Sequence, residues 1–121
     1  MMPDAAIAAP DRPWPVELTF QADAKSLKAH FDDGVSFIIP YELLRIESPS
    51  AEVQGHSAAG KKWVAGKQHV NIVRAEPVGR YALRLVFDDG HDTGIYTWDW
   101  LYRLGRDQDR LMEAYRLAMT V

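Results

Sequence analysis

Cysteine is absent from the sequence, and its absence excludes several kinds of chemistry. Without thiols the chain forms no disulfide, no thiolate zinc site, no cysteine-held iron–sulfur cluster and no thiol nucleophile. An excess of basic residues is also missing, since the formal net charge is −3. Binding to nucleic acid or to an anionic membrane depends on such an excess, so neither partner is expected.

Long hydrophobic runs are missing as well. No stretch approaches the ~18 apolar residues of a membrane-spanning helix. Residues 1–13 have neither the basic start nor the apolar segment of a signal peptide, so we expect a cytoplasmic protein. Ala and Pro are frequent in residues 1–13, which we interpret as a flexible tail. Residues 14–121 have the length and composition of a single domain.

The first part of the domain has the alternation of half-buried strands. Apolar and polar residues alternate over residues 16–20 and 27–31. An Asp-Asp-Gly turn then leads into an apolar run at 37–39. Residues 16–39 are therefore predicted to form a three-stranded meander.

The middle of the chain predicts a helix, a loop and two more strands. Pro40 suits the first position of a short helix over 41–46, because its ring fixes φ and the missing N–H would be unpaired there. Residues 48–66 contain three glycines and are predicted to form a long mobile loop. Strand character returns at 69–73 and is clearest at 80–87.

The C-terminal part predicts a short strand followed by two helices. Residues 95–96 form the strand, and Thr97 is a suitable N-cap for a helix over 98–104. Gly105 is predicted to end that helix. Asp107 can cap the last helix.

One pattern occurs twice in the sequence. Phe-Asp-Asp-Gly begins at Phe31 and again at Phe87, and each copy is followed by a predicted strand and a short helix. Either the chain contains a duplicated unit or two common local patterns coincide.

Metal and nucleophile chemistry each have a candidate cluster. Asp88, Asp89, His91 and Asp92 share one turn, but Asp side chains in turns ordinarily bond their own backbone, and we favour that interpretation. Serines and a histidine lie in the glycine-rich loop, without the strand-to-helix elbow of a nucleophilic serine. We interpret the loop serines as structural.

Phosphate chemistry and aromatic contacts have weaker signals. Lys61 and Lys62 lie among glycines, but no phosphate-binding loop motif is present, so solvated lysines are favoured over an anion site. Trp98 is predicted to pack in the core. Trp100 and Tyr102 are either core residues or anchors for a partner, since exposed aromatic rings are favoured at interfaces.

Three stretches carry more specific motifs. They are Leu-Arg with Ser-Pro-Ser-Ala-Glu-Val (44–53), Val-Gly-Arg-Tyr-Ala-Leu (78–83) and Phe-Asp-Asp-Gly-His-Asp-Thr-Gly-Ile-Tyr-Thr-Trp (87–98). Together they resemble the γ-butyrobetaine hydroxylase-like N-terminal domain family over about residues 16–105. The resemblance implies a small two-layer α+β fold, with an antiparallel sheet, short helices and a C-terminal helix.

The same resemblance limits the function that can be carried over. In that family the domain precedes an iron- and 2-oxoglutarate-dependent oxygenase domain, is joined to Mrp-type carriers of iron–sulfur assembly, or occurs alone. After residue 105 only one short helix is predicted, so hydroxylase activity is not expected here. We expect no cofactor and no enzymatic activity.

The family's zinc site is also altered. The hydroxylases have Leu-Arg followed by three cysteines, and the histidine of Asp-Gly-His completes the site. The corresponding positions here are Ser48, Ser50, Val53 and His91. Neutral hydroxyls are poor zinc ligands and valine cannot ligate, so we expect no metal.

The favoured hypothesis is a binding or protein-interaction module, linked to iron–sulfur or cofactor metabolism, which binds another protein or itself. The alternative is a small-ligand or anion binder that uses the loop at 54–67 and His91. An enzyme that uses His91 with nearby carboxylates ranks third. The candidate binding residues are His91, Asp89, His56, Glu52, Trp100, Tyr102, Lys61 and Lys62.

Overall fold

The computed structural model describes residues 12–55 and 60–120. Within these ranges the chain forms six strands and four helices. In chain order they are β1 (Pro15–Gln21), β2 (Ser26–Phe31), β3 (Ser36–Pro40), α1 (Tyr41–Ile46), α2 (Ala51–Gln54), β4 (Ile72–Val78), β5 (Ala82–Phe87), β6 (Ile95–Thr97), α3 (Trp98–Arg106) and α4 (Gln108–Met119).

The strands form two antiparallel sheets of three strands each, in the orders β1-β2-β3 and β4-β5-β6. The prediction of an α+β fold with antiparallel strands and a C-terminal helix is confirmed. The meander over residues 16–39 is also confirmed. In β2 the alternating residues Leu27, Ala29 and Phe31 are fully buried, as the sequence pattern predicts.

Strand β4 begins later than predicted. The prediction at 69–73 rests on local alternation, but Val70 N–H donates to the Lys67 carbonyl oxygen at 3.2 Å in a turn. Pairing with β5 begins only at Ile72, includes Pro77 and ends at Val78. Proline is tolerated there because β4 is an edge strand, and its missing N–H removes no bond from the sheet interior.

The segment predicted as a mobile loop is partly helical and buried. Pro40 lies in the extended N-cap position of α1, one residue before the predicted one. After α1 the chain turns into α2, and Ser48, Ser50 and Val53 are buried. The prediction of a loop over residues 48–66 is therefore wrong for 51–54.

Helix α3 confirms its predicted start and corrects its predicted end. The Thr97 hydroxyl accepts a hydrogen bond from Trp100 N–H at 3.2 Å, as an N-cap does. Gly105, the expected stop, is buried inside the helix, which continues to Arg106. A Cβ at Gly105 would lie 2.3 Å from Cγ of Phe37, so glycine serves close packing here. Asp107 occupies the N-cap position of α4 but makes no side-chain cap.

The repeated sequence pattern corresponds to a repeated structure. An N-terminal unit (residues 14–46) and a C-terminal unit (residues 71–106) each consist of three strands and a helix. In each unit the pairing of the first two strands shifts by one residue, at Val16 and at Val73, and both valines are exposed.

The Asp-Asp-Gly turns of the two units also match bond for bond. The second aspartate, Asp33 or Asp89, accepts a hydrogen bond from the backbone N–H two residues later, at 3.0 Å in both units. The turn glycines, Gly34 and Gly90, have φ of 87° and 93°, in the left-handed region that glycine adopts without strain.

The units are joined by reciprocal side-chain bonds. Arg45, the fifth residue of α1, donates from Nε to Oδ2 of Asp89 at 2.8 Å. Tyr102, the fifth residue of α3, donates its hydroxyl proton to Oδ2 of Asp33 at 2.7 Å. Each helix is therefore anchored in the turn of the other unit.

One hydrophobic core spans both units and α4. The core side chains are Leu27, Ala29, Phe31, Ile39, Tyr41, Leu43, Leu44, Ile46, Val70, Leu83, Leu85, Phe87, Tyr96, Leu101, Leu104, Leu111 and Tyr115.

None of the helices in the described ranges is long and apolar enough to cross a bilayer.

Candidate functional site

Two hydroxyls and an imidazole meet between the units. His91 Nε2 lies 2.8 Å from Ser48 Oγ and 3.4 Å from Ser50 Oγ, and the two hydroxyl oxygens are 3.4 Å apart. All three side chains are buried, and Ser48 has no exposed surface. We call these three residues the hydroxyl–imidazole cluster. The structure thus brings together three of the four positions that the resemblance assigns to zinc.

Local backbone geometry explains how the cluster forms. Ser48 and Ser50 flank the turn between α1 and α2, while His91 follows the Asp-Asp-Gly turn of the C-terminal unit. Gly94 lies against Ser48, since a Cβ there would be 2.5 Å from Ser48 Oγ. A larger side chain at residue 94 would push the serine away from the imidazole.

A charged group borders the cluster. Oδ2 of Asp89 accepts hydrogen bonds from Arg45 Nε at 2.8 Å and from Lys67 Nζ at 2.7 Å. Burial alone would raise the pKa of Asp89, but the bonds from Lys67, from His91 N–H and from Arg45 outweigh it. They hold the pKa of Asp89 well below its usual range. Asp89 is therefore ionised throughout the physiological range.

The surroundings of His91 favour its neutral form. Its burial lowers the pKa of the imidazole, and the positive charge of Arg45 lowers it further. Arg45 is itself buried, and its Nη1 has no hydrogen-bond partner within residues 12–55 and 60–120. The carboxylates of Glu52, Asp89 and Asp92 act in the opposite direction but do not reverse the shift.

The cluster lacks the geometry of a nucleophilic relay. In a Ser–His–Asp arrangement the carboxylate bonds the imidazole ring. Here Asp89 instead accepts from the backbone N–H of His91. Ser48 is fully buried, so a substrate has no access to its hydroxyl.

The donor set does not fit the zinc ion that the resemblance implies. Ser48 and Ser50 present neutral hydroxyls, Val53 presents carbon only, and the hydroxyl of Ser48 engages the ring nitrogen of His91. Within the described ranges no three histidine or acidic side chains converge as a metal site would require.

The other candidates of the loop and turn have separate partners. The Lys61 ammonium group pairs with Glu47, and Glu52 accepts a hydrogen bond from the Thr93 hydroxyl. Lys62 is exposed. His56 lies outside the described residues. An anion site on this loop stays a prediction.

Trp100 and Tyr102 make contacts within the chain. Trp100 Nε1 donates to the Glu47 carbonyl oxygen at 2.9 Å. The Tyr102 ring packs edge-on against Phe31 and Phe37, with centroids 5.0 and 5.1 Å away. Both side chains are half-buried, and their role toward a partner stays a prediction.

A surface depression lies elsewhere, where the units meet. Trp14 and Trp98 pack edge-to-face at 6.2 Å, and Trp98 is half-buried rather than fully in the core. With Tyr81, which is 54% exposed, they line a depression of about 220 Å³. We call these three rings the aromatic surface. Sequence reasoning missed both Trp14 and Tyr81. Trp14 precedes β1, and Tyr81 alternates in the sequence with the buried residues Leu83, Leu85 and Phe87 although it lies just before β5.

The depression continues toward a basic end. A second hollow of about 370 Å³ shares Arg12, Pro13 and Asp99 with it and is also lined by Arg103. The Arg103 guanidinium lies 4.3 Å from the Trp100 ring centre. Within the described ranges Arg103 has no carboxylate partner, whereas Arg12 pairs with Asp99 at 2.9 Å.

Comparison with known proteins gives a consistent family match. The family model described as "gamma-butyrobetaine hydroxylase-like, N-terminal" matches residues 18–102. A crystal structure from Acidithiobacillus ferrooxidans, of a DUF971 family protein of unknown function, is 37% identical with a TM-score of 0.64, over 75% of this chain and 91% of that one. Two solution structures are 42% and 40% identical, with TM-scores of 0.79 and 0.77. These two matches cover 99% and 90% of this chain, respectively, and 86% of the chain in each solution structure. Curated proteins give no match.

Proposed function

The chain belongs to the γ-butyrobetaine hydroxylase-like N-terminal domain family, and we propose that it acts in this family as a non-catalytic, protein-binding module. The matched segment, residues 18–102, contains both the hydroxyl–imidazole cluster and most of the aromatic surface. The proposal depends on how differently these two regions expose their side chains.

Groups that could carry chemistry are engaged within the chain. The hydroxyl of Ser48 and the ring of His91 form a hydrogen bond in the interior. The carboxylate of Asp89 pairs with the side chains of Arg45 and Lys67. General acid–base catalysis needs a titratable group within hydrogen-bond reach of a substrate. Burial of the cluster argues against such access and therefore against an enzyme.

The aromatic surface is the observation that carries the proposal. Trp14 is 36% exposed and Tyr81 54% exposed, and both border one depression with Trp98. Aromatic rings with one face packed and the other in water are frequent anchors of protein interfaces. The guanidinium of Arg103 lies over the Trp100 ring and has no carboxylate partner in residues 12–55 and 60–120. It would favour a partner that places an acidic group beside its apolar contact.

Site-specific photo-crosslinking in cells tests the proposal. A benzophenone amino acid replaces Tyr81 in one variant and Leu117, 60% exposed on α4, in a matched control. We expect a discrete adduct at position 81 that is absent at position 117. Excess wild-type chain should suppress this adduct, whereas excess Trp14→Ala chain should not, because the competitor lacks one of the three rings.

Two results would count against a binding module at this surface. One is no adduct at position 81 under conditions where the control variant is equally expressed. The other is the same set of adducts at positions 81 and 117, which indicates unspecific collisions. An adduct whose mass equals twice that of the chain would identify the partner as a second copy.

A further inference from the structure

We infer that the hydroxyl–imidazole cluster is a metal-independent clasp, which fastens the chain after α1 to the C-terminal unit in the place where the family resemblance implies zinc. This inference is independent of the proposed binding role, because it concerns the interior between the units and not the aromatic surface.

The spacing of the cluster atoms supports the inference. Two hydroxyl oxygens and a ring nitrogen at separations of 2.8, 3.4 and 3.4 Å form a compact triangle. Ligands of tetrahedral zinc at bond lengths of about 2.0–2.3 Å are themselves roughly 3.3–3.8 Å apart. The triangle is close to that size, but here the polar atoms bond each other directly and leave no need for an ion.

Two cationic side chains lie beside the cluster. Asp89 is shared by Arg45 and Lys67, so this group carries a net charge of +1. Arg45 acts on the His91 ring as a positive charge and would repel a divalent ion there, whereas Glu52 and Asp92 act in the opposite direction.

Further hydrogen bonds support the segment that a metal would otherwise hold. Gln54 Nε2 donates to the Ser48 carbonyl oxygen at 2.9 Å, and Lys62 N–H donates to the Val53 carbonyl oxygen at 2.7 Å. Trp100 Nε1 bonds the Glu47 carbonyl oxygen from the other unit. Several weak bonds thus give the mechanical connection that one metal centre would give.

Metal analysis and thermal unfolding of the purified chain test the inference. After incubation with excess zinc and removal of free ions, we expect the wild type to hold far less than one zinc per chain. Its Tm should be the same with and without EDTA. Ser48→Ala should lower the Tm, again without any response to EDTA, because it breaks the clasp and not a metal site.

A gain-of-ligand variant sharpens the test. Ser48→Cys, Ser50→Cys and Val53→Cys together should bind one zinc per chain, and EDTA should then lower the Tm. Adding His91→Gln to this variant should weaken zinc binding at least tenfold. Stoichiometric zinc in the wild type that His91→Gln removes would overturn the inference, as would an EDTA-sensitive wild-type Tm. A folded triple-cysteine variant that binds no zinc would also count against the inference, because the cluster would then not occupy the place of a metal site.

Discussion

Val35 in the N-terminal unit and His91 in the C-terminal unit hold the same place after an Asp-Asp-Gly turn. Each donates its backbone N–H to the second aspartate of the turn at 3.0 Å. Val35 is 37% exposed, whereas His91 is 8% exposed and bonds two buried serines. The two turns therefore share the same backbone hydrogen bond, but only the turn of the C-terminal unit supplies a residue to a buried polar cluster.

A second pair of positions explains where the cluster can form. Phe37 pairs with Ala29 in the first sheet, and Gly94 lies opposite Leu85 in the second, bonded through Leu85 N–H at 3.3 Å. Phe37 fills the space against Gly105 of α3, while the equivalent space beside Gly94 receives Ser48. A missing aromatic ring in one unit therefore makes room for the hydroxyl–imidazole cluster.

Removal of the matched core phenylalanines is expected to have the largest effect. Phe31→Ala and Phe87→Ala should each lower the free energy of unfolding by about 3–5 kcal/mol, because both rings are fully buried in one shared core. Urea unfolding followed by circular dichroism should show one transition in both variants. Two separated transitions would mean that the units fold independently.

Substitution of the two matched turn aspartates should lower the free energy of unfolding by different amounts. Asp89→Asn keeps an acceptor for His91 N–H but removes the charge that Arg45 and Lys67 share. The free energy of unfolding should fall by somewhat less than the ~3–5 kcal/mol expected when a fully buried ion pair is broken, since 18% of the Asp89 side chain is exposed. Asp33→Asn likewise keeps an acceptor for Val35 N–H and faces the Tyr102 hydroxyl at an exposed site, so it should change the urea midpoint little. Equal losses in the two variants would contradict the asymmetry between the units.

The effect of Gly105→Ala on the free energy of unfolding should change sign when the side chain of Phe37 is removed. Gly105→Ala alone should destabilise by about 1–3 kcal/mol through overlap with the ring. In a Phe37→Gly background both the ring and the Cβ that would lie 2.8 Å away are gone, and alanine at position 105 should stabilise the helix by up to about 1 kcal/mol relative to glycine. A double-mutant cycle of unfolding free energies measures the coupling, and additivity would exclude this contact.

The smallest expected effect is a dependence on pH. Because burial lowers the pKa of His91 in the folded chain, the unfolded chain binds the proton more readily. Stability is then fully present above the unfolded pKa of about 6.5 and declines as pH falls toward the folded value. Urea midpoints at neutral and mildly acidic pH should differ more in the wild type than in His91→Gln. If the urea midpoint changed equally with pH in the wild type and in His91→Gln, His91 would not contribute to the pH dependence of stability.

Local patterns predicted the elements better than the contacts between them. Alternation at 27–31 and the N-cap at Thr97 depend on neighbours in the chain, and both predictions are confirmed. Gly105 was predicted to end a helix because its partner, Phe37, is 68 residues away and invisible to a local rule. The proximity of Ser48 and Ser50 to His91 came from the family resemblance, since no spacing rule connects residues more than 40 positions apart.

The two crossed anchors also constrain how this chain can diverge. Arg45 with Asp89, and Tyr102 with Asp33, each join a helix of one unit to a turn of the other. A substitution at either member leaves its distant partner without a counterpart, so drift at one position favours a matching change at the other. Covariation among homologous sequences should therefore link positions 45 and 89, and separately 102 and 33, rather than neighbours within a single unit.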